Sequence, residues 1–456
     1  MPEPLYRRLR FRAPWVIFWV AFAVRVGAIV VGRTYRLPVI MDHFEYGWEV
    51  GRIARSLVRG QGYANPFNGV SGPTAWMAPL YPLLLAAGFK VFGVYTQAAA
   101  AFVLVCNSVF SAGTALAVYE IAARCFDGRG IARRGAKVAA PVGLWSAWLW
   151  ALYPGTMQYA TRWIWEMSLS TFLFTWALVM ALRLRGIGEV DEGSVRGGGS
   201  QGRRWVGFGL LWGLVALSNP SLLLCLPVMM VWVAWPELRR GRVGVPMVGG
   251  VALACVAFGM VLAPWVVRNE RVLHAFVPTR DNFGVELYES TLERNDGFPW
   301  GTTLPLWAGD PVFKEFVRMG EMKFAKMRGD EAKERIRARP GVFVHHAVDR
   351  FFFFWDDTPH PTERWVGEDL RRLQYGFLSL CGLMGLALML RRRVSGAGLF
   401  ALCFVLVPIP YYLVTVQARF RHPIEPLIAI LGVYLFRSTG AGLDEGLPPR
   451  LEELHG

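Results

Sequence analysis

The sequence predicts an all-α polytopic membrane protein of about ten transmembrane helices, with one re-entrant or interfacial helix and a small extracytoplasmic loop domain. Three observations carry this. Of the 456 residues, 54% are hydrophobic and 14% aromatic, and the mean hydropathy is +0.33, a balance foreign to ordinary soluble domains. Long apolar runs recur near the length a helix needs to cross a bilayer. Arginines gather in alternate loops, as the positive-inside rule requires of a multi-pass chain. The formal charge of +15 therefore reads as topology, and no nucleic-acid-binding module is visible.

The chain opens with a basic segment, Met1 to Arg12, followed by apolar Ala13 to Val31. That run is long for a signal peptide and no small-x-small cleavage site precedes Gly32, so it reads as an uncleaved first span. Spans are expected near 14–32, 97–121, 138–157, 167–183, 205–218, 220–235, 247–267, 371–390, 396–416 and 424–436. The pair 205–218 and 220–235 reads as a tight hairpin with Asn219-Pro220 at its tip. The segment 77–93 is apolar but short, and Pro79, Pro82 and Lys90 mark it as re-entrant or interfacial. Were it to span, the basic loop 122–137, with Arg124, Arg129, Arg133, Arg134 and Lys137, would fall outside.

With that segment excluded the loops alternate. The segments 1–13, 122–137, 184–204, 236–246, 391–395 and the C-terminal tail are cytoplasmic, which places both termini inside the cell membrane. The segments 33–76, 158–166, the Asn219-Pro220 tip, 268–370 and 417–423 lie outside. Three units follow: an N-terminal transmembrane catalytic module, 1–267, which includes the first outer loop 33–76; an extracytoplasmic loop domain, 268–370; and C-terminal transmembrane helices with a cytoplasmic tail, 371–456. In the loop domain, Pro311 to Arg339 reads as charged helix, and Phe343 to Trp355 as an aromatic stretch dipping into the interface. Gly193 to Gly202 reads as a flexible inner loop.

Some polar features have ordinary readings. Five of six cysteines fall in apolar spans and Cys125 in a basic loop, so they are packing residues. No spacing reads as a metal site. His345 and His346 are adjacent, and adjacent residues on a helix point apart. Asp356-Asp357 with His360 reads as an acidic turn.

Function is concentrated on the outer side. In the first outer loop, Tyr46, Val50, Ile53, Ala54, Leu57 and Val58 recur at helical spacing, giving an amphipathic helix from Glu45 to Arg59 suited to the interface. Asp42 precedes it, and an acid beside a membrane needs a reason. Under this topology Asp42 and Glu45 share the outer face with Arg162 and Glu166, with Arg268, Asn269 and Arg271, and with Arg419 and Arg421. Each has an ordinary explanation: Asp42 as an N-cap, Glu166 as a cap of the next span, Arg268 snorkelling, Arg419 paired with an acid. Together, carboxylates and arginine forks suit attack by a hydroxyl on a phosphate-linked donor. The forks grip phosphate and a carboxylate takes the proton. Neighbouring arginines, or a divalent cation, would hold Asp42 ionised against the effect of burial.

Several motifs carry a resemblance: Asp42-x-x-x-Tyr46, Leu57-x-x-Gly60-x-Gly62-Tyr63, Ala78-Pro79-Leu80-Tyr81-Pro82, Glu166, Pro264-Trp265-x-x-Arg268-Asn269 and Arg419-Phe420-Arg421-x-Pro423. In this order they resemble the membrane-embedded GT-C glycosyltransferases, in particular bacterial relatives of dolichyl-phosphate-mannose protein mannosyltransferases and of the aminoarabinose transferase of lipid A. Two departures are His43 in the first motif and Asn219, where relatives carry Arg. The resemblance implies a GT-C-like fold, a polyprenyl-phosphate-linked sugar as donor and an inverting transfer to a membrane-associated acceptor: lipid, glycan or protein. It implies Asp42 as catalytic base with Glu166 as second acid. Glu45, Tyr46, Tyr81, Arg162, Arg268, Asn269, Arg419 and Arg421 would bind substrate. A transporter or flippase of polyprenyl-linked sugars is the alternative; it would place ionisable groups at mid-membrane and repeat its halves. A non-catalytic scaffold that binds lipid or sugar is a third reading.

The arginine distribution makes a prediction. Cysteines placed at Val70 and Asp296 should react in intact cells with an impermeant thiol reagent, and one at Gly198 should not. Labelling at position 198 would invert the topology.

Overall fold

The computed structural model describes residues 5–37, 46–127, 142–188, 198–241, 244–292, 304–357 and 366–444. Within them the chain is helical: α1 (Leu5–Gly32), α2 (Glu49–Val58), α3 (Leu80–Phe92), α4 (Gln97–Phe126), α5 (Val142–Leu152), α6 (Pro154–Thr161), α7 (Met167–Leu184), α8 (Gly198–Ser218) and α9 (Cys225–Arg239). Then follow α10 (Val245–Leu273), α11 (Phe283–Ser290), α12 (Pro311–Met319), α13 (Glu321–Ala338), α14 (Pro340–Asp356), α15 (Val366–Arg391), α16 (Ala397–Leu406), α17 (Ile409–Leu413) and α18 (Glu425–Asp444).

Among the described residues six stretches are long and apolar enough to cross a membrane: 14–32, 97–126, 167–184, 220–239, 245–273 and 369–391. Four expected spans are not among these six, and proline accounts for two of them; the other two are 205–218 and 424–436. The run 138–157 does not form one helix: α5 stops at Leu152 and Pro154 starts α6, because proline cannot continue the hydrogen-bond ladder. The run 396–416 likewise ends at Leu406, and Pro408 opens α17. The hairpin tip folds as expected. Asn219 accepts from the Ser221 backbone N–H at 3.2 Å and caps a short 3-10 turn, Pro220–Leu224, that feeds α9. The interfacial helix α3 has 13 residues, about 20 Å, too short for the hydrocarbon core.

Burial explains how the spans pack. Gly209 and Gly213 on α8 meet α10. A Cβ on Gly209 would collide with the Ala254 carbonyl, and one on Gly213 would sit 2.6 Å from Val261 Cβ. Small residues let the two backbones approach closely, which is how helices associate in lipid. Arg25 of α1 is an ion inside a span, fully buried. Its guanidinium donates to Ser111 Oγ at 2.9 Å and to the carbonyls of Ala21, Trp150 and Ala151 at 3.1, 3.2 and 2.8 Å. The Trp150 carbonyl has no helical donor because its partner four residues on is Pro154. Arg25 supplies that donor and locks α1 to the end of α5. At the C-terminal end of α4, Glu120 accepts from Arg124 at 2.7 Å and Arg183 at 3.1 Å. All six cysteines are unpaired.

The first outer loop and the loop domain form one layer over the spans. Asn68 exchanges backbone hydrogen bonds with Leu306 and Ala308 at 3.0 and 2.9 Å, and Phe67 packs edge-on against Phe316 of α12. The charged stretch 311–339 is not one helix. It breaks at Gly320, whose φ of 79° suits glycine, into α12 and α13. The aromatic stretch lies within α14, where Phe351 and Phe352 are 45% and 60% exposed.

Candidate active site

Two neighbouring features occupy the end of the bundle that carries the loop 33–76: an apolar groove ending at an arginine, and a cleft in which acids surround another arginine. Helix α2 joins them. Its apolar stripe buries Val50, Ile53 and Ala54. Tyr46, just before it, is fixed by donating to the Thr96 carbonyl at 2.6 Å and packing against Phe89 and Tyr95. The N-cap residue is Trp48, so the expected helix start at Glu45 moves to Glu49, and Asp42 is not its N-cap.

The groove, about 690 Å³, lies between α2, α3, α8 and α10 and is lined by Leu57, Gly60, Gly62, Leu83, Val261, Trp265 and Arg268, among others. Gly60 and Gly62 hold φ near 75° with open space beside them; the backbone conformation, not crowding, requires glycine there. Arg268 closes the groove's polar end. Its Nη1 donates to the Thr74 carbonyl at 2.7 Å and to Asn269 Oδ1 at 2.8 Å, and its Nη2 to the Tyr63 carbonyl at 2.6 Å. Tyr63 and Trp265 flank the cation, with ring centroids 5.5 and 5.2 Å away. A guanidinium has five N–H groups, so Nε and one Nη2 hydrogen are left for a ligand. Asn269 is fully buried and donates to the Val277 carbonyl at 2.8 Å, so it orients Arg268.

The cleft gathers side chains from four distant segments. Arg419 lies in the turn Ala418–Ile424, 4.3 Å from the Trp165 ring centroid. Phe420 beside it is stacked on Tyr411 at 4.6 Å. Glu49, Glu166 and Glu286 all lie within electrostatic reach of this guanidinium. Burial pushes the carboxyl of Glu166 above the ordinary range, and Arg419 and Arg280 offset part of that push. Glu49 is raised for the same reason, against Arg52 and Arg419. Glu286 is held by Thr415 and Asn282, each donating at 3.1 Å. Glu166 Oε2 and Arg419 Nε are buried without a hydrogen-bond partner among the described residues. Tyr81 is buried beside Glu166 and bonded to Asn107. The cleft thus offers acids of raised affinity for protons, one shared cation, and buried polar atoms that a sugar hydroxyl could satisfy.

The expected residues divide as follows. Glu166, Arg419 and Tyr81 come together; Arg268 and Asn269 form the groove end. Arg162 is exposed just beyond α6. Tyr46 is 2% exposed and committed to packing. Arg421 is 1% exposed and held by Ser379 Oγ at 2.7 Å, by the Trp355 and Tyr375 carbonyls and by Glu425, so it is not presented to the cleft. Asp42 and Glu45 lie outside the described residues, as does His360. Asp356 and Asp357 pair with Arg372 and Arg371 at 2.9 and 2.6 Å, an ordinary acidic turn. Among the described residues no group of three or more His, Cys, Asp or Glu is arranged to hold a metal ion.

Sequence reasoning missed Glu49, Arg280 and Glu286 as members of the cleft. It also missed Glu321, at the start of α13, which accepts from the Ala75 N–H at 2.5 Å and from the Thr74 hydroxyl. Glu321 sits against Asp281, and burial raises both carboxyls; the charge of Asp281 raises Glu321 further, while the hydrogen bond with Glu321 offsets part of the rise at Asp281. The pair fastens the first outer loop to the loop domain one residue from the carbonyl that Arg268 holds.

No protein-family profile and no curated protein matches this sequence. Solved structures do. The oligosaccharyltransferase of Archaeoglobus fulgidus in its apo form superposes with a TM-score of 0.54 at 13% identity, over 94% of this chain and 51% of that one. The same enzyme, AglB, in complex with an inhibitory peptide and a dolichol-phosphate gives 0.54 at 13% identity, over 97% and 53%. ArnT from Cupriavidus metallidurans, bound to undecaprenyl phosphate, gives only 0.38 at 14% identity, over 96% and 81%. The chain thus spans about half the length of the archaeal enzyme. The chain shares the fold of that archaeal oligosaccharyltransferase.

The Asp281–Glu321 pair makes a prediction. Because burial raises both carboxyls, folding favours their protonated forms, and the stability they lend is lost as pH rises through the folded-state titration. Thermal unfolding of Asp281→Asn in detergent should therefore show a shallower decline with rising pH than the wild type, the remainder belonging to Glu321. A variant that declines in parallel with the wild type would show that the pair is not the cause.

Proposed function

We propose that this chain is an integral membrane glycosyltransferase that moves a sugar from a polyprenyl-phosphate donor to an acceptor on the extracytoplasmic face, with inversion at the anomeric carbon. The observation that carries the proposal is the pairing of groove and cleft on this fold. Glu49 and Leu57 lie eight residues apart on α2, about 12 Å, so one helix has the acids at its start and the apolar groove at its end. The archaeal enzyme of the same fold was captured with a dolichol-phosphate, which supports a lipid-phosphate donor. In this reading the groove holds the first prenyl units and Arg268 grips the phosphate. The cleft holds the sugar and the acceptor hydroxyl. The acceptor oxygen attacks C1 as the bond from C1 to the phosphate oxygen breaks; the electron pair leaves with polyprenyl phosphate and the hydroxyl proton passes to a carboxylate. Asp42, four positions before the anchored Tyr46, is the base we assign, and Glu166 orients the acceptor beside Arg419.

Topologically, we assign about ten crossings of the cell membrane, the shorter apolar helices completing the six long ones, with termini inside and the site outside. The transporter alternative wants ionisable groups serving a path through the bilayer, whereas Arg25, buried in its span, is spent on backbone carbonyls.

Asp42→Asn should leave folding and donor binding intact and lower single-turnover transfer by roughly 10²–10⁴-fold, with Glu45→Gln doing less. If Asp42→Asn is fully active while Glu166→Gln is dead, the base is Glu166. In the wild type, activity should fall on acidification through a group above the ordinary carboxylate range, and Glu166→Gln should remove that limb.

Arg268→Ala should weaken donor binding by on the order of 1.5–3 kcal/mol, the cost of a charge-assisted hydrogen bond, and Lys should restore little because it lacks the fork. Wild-type donor affinity in Arg268→Ala, measured on folded protein, contradicts the assignment.

A further inference from the structure

A second cavity lies away from the groove and cleft, where α13 turns into α14. It measures about 330 Å³ and is lined by Arg335, Arg339, Val342, Phe343 and His346, among others. Two features set it apart from a solvated basic surface. His346 is 8% exposed, yet its Nδ1 is buried with no hydrogen-bond partner; the nearest acid, Asp349, stays 3.9 Å away. The first turn of α14, which begins at Pro340, lines the same space, and its leading N–H groups have no helical acceptor. Arg335, Arg337 and Arg339 follow in alternate positions. Arg335 lies over the Tyr288 ring at 5.2 Å, and none of the three forms an ion pair with a described residue. Arg335, Arg339 and the start of α14 give the cavity a positive potential that favours an anion.

What the anion belongs to follows from the helix that continues from the cavity. Val344, Val348, Phe351 and Phe352 recur at helical spacing on α14 and are 59%, 48%, 45% and 60% exposed. The opposite side of α14 is fastened to the bundle: Arg350 donates to the Tyr412 and Ser290 carbonyls at 2.8 and 2.9 Å, and Trp355 Nε1 to the Tyr412 hydroxyl at 2.9 Å. The helix leads towards α15, which contains a candidate span. An apolar face at the outer end of a span, next to a cluster of arginines, matches the acyl region and headgroup of a lipid. We propose that this cavity binds the phosphate of an anionic phospholipid headgroup in the outer leaflet, with the apolar face of α14 lying among the adjoining acyl chains. The site rests on the membrane reading of the chain but not on sugar transfer.

The test is hydrogen exchange on the full-length protein in nanodiscs. Peptides covering 335–346 should exchange on the order of ten-fold more slowly in phosphatidylglycerol than in phosphatidylcholine discs, as binding near ten times Kd would give. Arg335→Gln with Arg339→Gln, at exposed positions that leave the fold intact, should erase that difference; His346→Phe should reduce it. Three results overturn the proposal: equal exchange in both lipids; a difference that survives in the double variant; or protection in phosphatidylcholine discs on adding glycerol phosphate alone, which would make the ligand a soluble phosphate.

Discussion

The outer half of this molecule depends on how Arg268 is spent. Three of its N–H groups hold the first outer loop and the neighbouring Asn269: the Thr74 carbonyl, the Tyr63 carbonyl and Asn269 Oδ1. Hydrogen bonds from a charged donor to carbonyls are among the strong ones, and that to Tyr63 reinforces the bond its carbonyl already accepts from the Thr74 N–H at 3.1 Å. The same contacts hold the guanidinium's position, so its remaining donors are aimed without further loss of side-chain freedom. In the proposed function a structural staple and a preorganised anion grip are one side chain. Glu321 repeats the attachment from the other side, on Thr74 and Ala75, so the loop is clamped between a span and the loop domain.

The cleft follows from a second constraint, the burial of several carboxylates around one arginine. Burial raises the proton affinity of Glu49 and Glu166, and Arg419, set against Trp165 and Phe420, lies within electrostatic reach of Glu49, Glu166 and Glu286. Such a site responds strongly to any added polar group, because the charges are screened by little water. That is the environment in which a carboxylate's proton affinity can be matched to a hydroxyl nucleophile. The described acids and Arg419 come from α2, the α6–α7 turn, α11 and the turn before α18, so the cleft exists only when the bundle and the loop domain are assembled together.

Much of the fold was legible because bilayer thickness and the arginine pattern act on long stretches, and α1, α4, α7, α10 and α15 emerge near their expected positions. Two apolar runs that looked continuous are interrupted at Pro154 and Pro408, and glycine ends α12 at Gly320. The site was legible where a residue's neighbours were unusual. Arg268 beside Asn269, and Arg419 in its Arg-Phe-Arg motif, stand out in apolar or aromatic surroundings. Arg421, two positions on, was read the same way, yet packing turns it into the core, where it meets Ser379 and Glu425. Glu286, Arg280 and Glu321 sit in a loop domain where acids and bases nearly balance, and only three-dimensional proximity distinguishes them. Arg25 escaped notice because nothing in a hydropathy pattern tells a snorkelling arginine from one that completes another helix's end.

The central claim is that groove and cleft together transfer a lipid-linked sugar. The most direct measurement reconstitutes the purified protein in proteoliposomes with a panel of labelled polyprenyl-phosphate sugars and membrane-extracted acceptors. It follows free polyprenyl phosphate and acceptor-bound sugar together. The account predicts that at least one donor releases polyprenyl phosphate in step with sugar appearing on an acceptor, in the opposite anomeric configuration. Donors that cross the bilayer intact, with no polyprenyl phosphate released from any of them, would contradict it and make the protein a carrier.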